Sequence, residues 1–142
     1  MKNSKEVLSS LLKTTQMGQI GIRSVLDVQM KPELRKEMES QLRELDFIES
    51  EAHAIARNRN WALPELNSSI RFMTDRMAKM RLSFGDVDSK IAAMMIHGNT
   101  NGIIKGLKNL HRMEQRDDAV HSLSQKLLDT ESNNVRQMKT FL

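Results

Sequence analysis

The sequence predicts an all-α protein, a four-helix bundle whose two halves are joined by a long helical crossover. Apolar residues recur at intervals of three and four along most of the chain, which is the spacing of amphipathic helices. Only 2 of the 142 residues are proline and 6 are glycine, so little interrupts long helices. Aromatic residues make up 4% of the chain and tyrosine is absent, a composition that disfavours β-strands.

The first two helices are predicted over residues 3–29 and 33–59. Asn3 or Ser4 can cap the first helix. Pro32 suits the first turn of the second helix and disfavours helix just before it, so the chain is expected to fold back as an antiparallel hairpin. The two apolar stripes contain Leu8, Leu11, Thr15, Gln19, Ile22 and Leu26 in the first helix, and Leu34, Met38, Gln41, Leu45, Ile48, Ala52 and Ile55 in the second.

The crossover is expected over residues 60–85, with a helix over residues 64–83 that Pro64 opens. A helix of about 20 residues spans about 30 Å, most of the length of a bundle. The second and fourth helices would therefore run parallel, as they do in bundles with one long crossover. The crossover stripe contains Leu66, Ile70, Met73, Met77, Met80 and Phe84, and we expect it to pack on the bundle rather than to form a methionine-rich docking surface with Met94 and Met95.

The fourth and fifth helices are predicted over residues 87–113 and 118–141, again as an antiparallel hairpin with a short link. Residues 1–142 are expected to form a single domain. The stripes contain Ala92, Met95, Ile96, Asn99, Ile103, Leu107 and Leu110 in the fourth helix, and Val120, Leu123, Leu127, Glu131, Asn134, Met138 and Phe141 in the fifth.

A family resemblance is carried by the segment MGQIGIRSVLDVQMKPELRKEMESQLRE, a glycine-containing helix that leads into a Pro-Glu-Leu helix start. It resembles the first hairpin of small bacterial ferritin-like proteins of unknown function. The segments TNGIIKGLKNL and SQKLLDTESNNVRQM are similar to the two helices of that hairpin, as in a weak internal duplication. The resemblance covers nearly the whole chain outside residues 60–85 and implies a ferritin-like four-helix bundle, a fold that does not by itself specify a function.

The ligand pattern of ferritin-like di-metal proteins is missing from this sequence. Those proteins place an inward Glu on each of two helices and Glu-x-x-His on each of the other two. Residues 7–26 and 89–113 contain no acidic residue, and Glu-x-x-His does not occur. The sequence therefore predicts no cofactor and no di-metal site. Glu49 and His53, four residues apart on one helix face, and Glu131 are the residual metal-ligand candidates.

A polar layer is predicted at about the level where ferritin-like relatives hold metal. Burying Glu131 without partners would cost several kcal/mol, so we expect amide donors to reach it or its carboxyl to be protonated. The layer either fixes helix register or binds one ion or small ligand, and a rotated helix would instead leave it at the surface. Its members lie within the apolar stripes and are Thr15, Gln19, Gln41, Asn99, Glu131 and Asn134.

Three glycines spaced by four, Gly98, Gly102 and Gly106, lie along one flank of the fourth predicted helix. Each costs about 1 kcal/mol relative to alanine inside a helix. They either let a neighbouring backbone approach or mark a kink near residues 97–102. The run HGNTNG lacks the spacing of phosphate-binding loops.

Composition and motifs indicate a binding protein rather than an enzyme. The net charge of +4 is interleaved with acids, cysteine is absent, and the four histidines join no catalytic pattern. No signal peptide or membrane-spanning run is found, so we expect a cytoplasmic protein.

The expected role is structural: a homo-oligomer or a complex with a protein partner, formed through a helix face. One alternative is a metal or small-ligand site around Glu131. The other is weak binding of anions or nucleic acid, although no nucleic-acid motif is present. That binding would use the basic residues Arg71, Arg76, Lys79, Arg81, Lys105, Lys108 and Arg112.

Overall fold

The computed structural model describes residues 2–64, 66 and 85–142. Over these residues the protein is a bundle of four helices without β-strands, so the predicted all-α class is confirmed. Of the crossover helix expected over residues 64–83, only residues 64 and 66 are described, and neither is helical; its methionines and four of the basic residues lie outside the described residues. The helices are α1 (Ser4–Val25), α2 (Pro32–Asn58), α3 (Val87–His111) and α4 (Asp118–Lys139).

Helix starts follow local chemistry that is visible in the sequence. Asn3 caps α1 in a reciprocal capping box with Glu6. Pro32 occupies the first turn of α2, where its missing N–H leaves no hydrogen bond unmade. The side chains of Asp86 and Asp117 accept backbone N–H groups at the starts of α3 and α4.

The first helix ends at Val25, four residues earlier than the sequence predicted. The guanidinium of Arg35 in α2 donates to the carbonyl oxygens of Leu26 and Val28 in the link that follows. These bonds satisfy carbonyl groups that another turn of helix would otherwise use, so the link turns sharply into α2.

The four helices share one hydrophobic core. Packing is most extensive between α1 and α2 and between α3 and α4, while α2 also contacts α4, and α1 contacts both α3 and α4. Within the described part of the chain, no helix is long and apolar enough to cross a membrane. The largest fully buried apolar side chains are Leu8, Leu12, Ile22, Leu34, Met38, Ile48, Ile91 and Met138.

The buried face of α3, which is the fourth helix of the sequence prediction, differs from the predicted one in its C-terminal half. Leu107 was expected in the core but is 43% exposed, and Ile104 is 49% exposed. Gly102 is buried instead, and Asn109 is buried and donates to a serine hydroxyl of α1. The prediction failed because it followed the apolar residues, whereas α3 turns its glycine face toward α4.

One end of the bundle is closed by polar contacts. The backbone of Lys2 pairs with the link between α3 and α4, and Arg59 after α2 forms an ion pair with Asp117 at the start of α4. Trp61 packs partly against the core, with the Arg59 guanidinium 5.8 Å from its ring centre. These contacts anchor the chain that follows α2 to this end of the bundle.

We expect substitutions at Asp117 to separate its capping bond from its ion pair. The Arg59 guanidinium holds the pKa of Asp117 below its usual value. Asp117→Ala loses both interactions, whereas Asp117→Asn keeps a capping oxygen and loses only the charge. The alanine variant should therefore be less stable than the asparagine variant by about 1 kcal/mol in urea unfolding at neutral pH.

The lowered pKa of Asp117 stabilises the folded protein at pH values above the ordinary aspartate pKa. This stabilisation is lost as the pH falls through the folded-state pKa of Asp117. The advantage of wild type over Asp117→Asn should therefore shrink in acid. Equal stabilities of the alanine and asparagine variants at neutral pH would contradict the capping role.

Candidate functional site

Every member of the predicted polar layer is a buried side chain. The members form separate groups of hydrogen bonds, however, and not one connected ring around Glu131. The exposed fractions are 0% for Thr15, 3% for Gln19, 2% for Gln41, 9% for Asn99, 4% for Glu131 and 3% for Asn134.

One group joins α1 to α2. Gln19 Nε2 donates to Asp46 Oδ1 at 2.7 Å and to Glu49 Oε1 at 3.2 Å. Gln16 Nε2 donates to Glu49 Oε2 at 3.2 Å, and the Arg23 guanidinium pairs with Asp46. The amide of Gln19 therefore binds carboxylates of α2, and the expectation that it reaches Glu131 is wrong.

The other polar members bind elsewhere too. Asn134 Nδ2 donates to Asn99 Oδ1 at 3.2 Å, and Asn99 Nδ2 donates to a backbone carbonyl one turn earlier in its own helix. Gln41 Nε2 donates to a glutamate one turn earlier, and the Thr15 hydroxyl donates to a backbone carbonyl of α1. None of these amides donates to Glu131, because nearer acceptors on their own or adjacent helices take the hydrogen bonds.

Glu131 instead lies against the backbone of α3. A Cβ built on Gly102 would lie 1.7 Å from Glu131 Oε2, so only glycine leaves room for this carboxyl. Glu131 Oε1 is buried and has no hydrogen-bond partner among the described residues. Burial raises the pKa of Glu131 to about 8. The carboxyl is therefore mainly protonated at neutral pH, which was the second of the two expectations.

A small cavity of about 20 Å³ lies beside this carboxyl, between α1, α3 and α4. The Ser124 hydroxyl also lines it, and its oxygen, like Glu131 Oε1, is buried without a partner in the described chain. A cavity of this size has room for about one water molecule. The site suits one small neutral molecule rather than an extended substrate.

The residual metal-ligand candidates do not come together. Over residues 2–64, 66 and 85–142, no group of three or more His, Cys, Asp or Glu side chains is placed to hold a metal ion. Glu49 accepts hydrogen bonds from Gln16 and Gln19. Glu49 thus belongs to the hydrogen-bonded contact between α1 and α2, His53 is half-buried one turn farther along α2, and Glu131 lies in the separate cavity.

A larger groove of about 600 Å³ runs between α2 and α4. Its lining is polar throughout. Glu37 and Glu44 of α2 and Asp129 of α4 supply three carboxylates, while Lys126 and His121 are the basic residues, and serine, threonine and amide side chains complete the walls. We call this the α2–α4 groove. It contains two buried members of the predicted layer, Gln41 and Asn134.

A different surface, on α3, exposes apolar side chains beside basic ones. Ile104 and Leu107 are exposed beside Lys105, Lys108 and Arg112, which are exposed too. We call these five residues the α3 outer face. Because residues 89–113 include no Asp or Glu, this surface is both apolar and positively charged.

Sequence reasoning missed the roles of Gln16, Asp46 and Ser124 and the whole α2–α4 groove. One signal was usable: Gln16 and Gln19 are three residues apart, as are Asp46 and Glu49, so each pair lies on one helix face and the two pairs can face each other. The groove left no such signal, because it depends on how two helices separated in sequence pack. Comparisons with protein-family models, curated proteins and solved structures found no match to this chain.

We expect the buried Glu131 to make the protein less stable as the pH rises. Its pKa is about 8 in the folded state and lower in the unfolded chain, so between these values the unfolded state binds fewer protons. Glu131→Gln, a neutral side chain of the same shape, should therefore gain on wild type by up to about 1.4 kcal/mol per pH unit over that interval. Urea unfolding at several pH values measures the difference.

The exposed carboxylate two residues earlier in α4 provides the control, as Asp129→Asn. Its stability difference from wild type should stay nearly constant over the same pH interval. A pH-independent difference between wild type and Glu131→Gln would show that the carboxyl is not buried as described.

We expect two glycines of α3 to respond oppositely to alanine. Gly98 has no neighbouring atom within 4 Å of an added Cβ, so Gly98→Ala should stabilise the protein by up to about 1 kcal/mol. Gly102→Ala should destabilise it, because the new methyl group displaces the Glu131 carboxyl. Thermal or urea unfolding of both variants measures these effects. The helix runs without interruption through residues 97–102, so no break occurs there.

The clash can be tested in a double-mutant cycle. In a Glu131→Ala background the methyl group added at Gly102 meets no carboxyl, so Gly102→Ala should cost much less there. The same cost in both backgrounds would show that Glu131 is not the group displaced.

Proposed function

We propose that this protein is a non-catalytic, ferritin-like helical bundle that acts as a protein-interaction module, forming homo-oligomers through the α3 outer face. The observation that carries the proposal is the pair of exposed apolar residues, Ile104 and Leu107, on a helix face without negative charge. Buried in an interface, such residues contribute affinity, while the surrounding cations favour an acidic partner surface.

The two antiparallel hairpins of the proposed bundle are supported by the order of contacts between helices. Gln16 contacts Glu49, whereas Arg23, farther along α1, contacts Asp46, nearer the start of α2. This order is that of two helices running in opposite directions. In the second half, Asn99 bonds Asn134, and the space beside Gly106 is filled by Leu128. These contacts likewise follow the order expected for two helices that run in opposite directions.

The proposed interaction surface is supported by the large apolar side chains of α3 that lie outside the core. Single exposed apolar side chains are common on proteins and need no explanation. Ile104 and Leu107, however, lie three residues apart on one face and are thus neighbours. They are large side chains on the helix whose Gly102 and Gly106 pack against α4, so the packing that buries Gly102 turns them toward solvent.

The other two functions considered from the sequence have less support. A metal site around Glu131 would need further charged ligands, because the cavity there offers one carboxyl, with the hydroxyls of Thr14 and Ser124, the amide of Asn109 and apolar side chains. Binding of anions or nucleic acid would use Lys105, Lys108 and Arg112. It would leave Ile104 and Leu107 exposed without a role.

We expect Ile104→Ser combined with Leu107→Ser to abolish self-association. Sedimentation velocity of the full chain over a wide concentration range should show wild type associating and the double variant remaining monomeric, because the apolar contact is lost. Leu142→Ser, at an apolar position that is 63% exposed at the end of the chain, is the matched control and should associate as wild type does. A wild-type protein that stays monomeric at every concentration would contradict the proposal.

A further inference from the structure

The α2–α4 groove is negatively charged, whereas the α3 outer face carries only positive charge. Glu37 and Glu44 lie on one wall and Asp129 on the other. Lys126 also lines the groove, and its ammonium group lies over the ring of Phe47, 4.6 Å from the ring centre. The groove therefore presents an excess of negative charge to anything that enters it.

Inside the groove, the oxygen of one buried side-chain amide accepts no hydrogen bond. Gln41 is 2% exposed, and its Nε2 atom donates to Glu37 Oε1 at 3.0 Å. Its Oε1 atom is buried and accepts no hydrogen bond from the described residues. A buried acceptor without a donor costs about 1–3 kcal/mol. An ammonium group that enters the groove meets the carboxylates around this amide.

The spacing of charges on the two surfaces also matches. Lys105 and Arg112 are seven residues apart on α3, and Glu37 and Glu44 are seven residues apart on α2. Both pairs therefore lie about 10.5 Å apart along their helices. Lys108 lies between the two cations as Gln41 lies between the two carboxylates.

We infer that the α2–α4 groove is the surface that accepts the α3 outer face of a second copy of this chain. The inference rests on the proposed function and specifies the partner surface. Docked with the two helices antiparallel, Lys105 meets Glu44 and Arg112 meets Glu37. Ile104 then lies near Phe47, which is 51% exposed, so apolar contact is added to the ion pairs.

This contact joins two different surfaces, so it is not self-complementary. Each copy retains one free α3 outer face and one free groove after docking. Such head-to-tail contacts close into a ring or continue as a filament. Association should also weaken with added salt, since its charged groups lie at the surface of the free protein.

Charge reversal on each surface tests the inference. One variant carries Lys105→Glu and Lys108→Glu, and the other carries Glu37→Lys and Glu44→Lys. Alone, each variant brings like charges together, and its self-association should weaken by on the order of 100-fold, about 2.7 kcal/mol. Mixed in equal amounts, the two should associate again through two contacts. The unchanged groove of the first variant meets the unchanged α3 outer face of the second, and the acidic α3 outer face of the first meets the basic groove of the second. Sedimentation velocity measures all three samples.

The controls separate folding from docking. Lys5→Glu with Lys139→Glu makes the same charge change on exposed residues of α1 and α4 outside both surfaces and should associate as wild type does. Far-UV circular dichroism of each variant checks that the helices are intact, and recovery on mixing requires both variants to be folded.

The outcomes distinguish the inference from the proposed function. Loss of association in each variant and its recovery on mixing support the inference. If wild type associates and the α3 variant does not, but the groove variant associates normally, the α3 outer face binds another surface and the inference is wrong. If wild type is monomeric, both the inference and the proposed function are wrong.

Discussion

The close contact between Glu131 of α4 and Gly102 of α3 is the constraint on which the rest of this bundle depends. The carboxyl occupies space that any side chain at position 102 would fill. Leu128 packs in the same way beside Gly106, one turn along. Two glycines thus set the rotation of α3, and that rotation brings Asn109 inward and turns Leu107 outward.

Most of the bundle's interior polar groups are paired locally. The amides of Gln16 and Gln19 bind Asp46 and Glu49 across the α1–α2 contact. These bonds lock two helices together, since an amide that slipped by one turn would lose its acceptor. Glu131 is different because it is buried without such a partner and carries a raised pKa. The interior is therefore suited to fixing helix positions rather than to chemistry on a substrate.

The surface carries the features that the interior does not use. The α3 outer face joins apolar and positive side chains, and the α2–α4 groove joins carboxylates with a buried amide that lacks a donor. Both surfaces follow from the same packing, since one lies on the side of α3 turned away from its glycine contact and the other lies where α4 meets α2. An interaction role places function on these surfaces.

The sequence by itself determined the helices, their starts and most of their buried faces. Asn3 and Pro32 act through neighbouring backbone groups, so their roles are readable locally. Nearly all residues of the predicted stripes of α1, α2 and α4 are buried, Glu131 among them, because large apolar side chains dominate burial there. The stripes missed several core residues, including Val7, Leu12 and Val25 of α1 and Leu128 of α4. These parts depend on periodicity and need no knowledge of the partner helix.

Only the tertiary structure decided the buried face of α3 and the partners of the buried polar groups. Glycine contributes nothing to an apolar stripe, yet Gly102 faces the core because a neighbouring helix needs its space. Gln19 has several possible acceptors within reach of its helix, and the packing of α2 selects Asp46 and Glu49. Contacts between residues distant in sequence decide both features, so helical periodicity alone does not specify them.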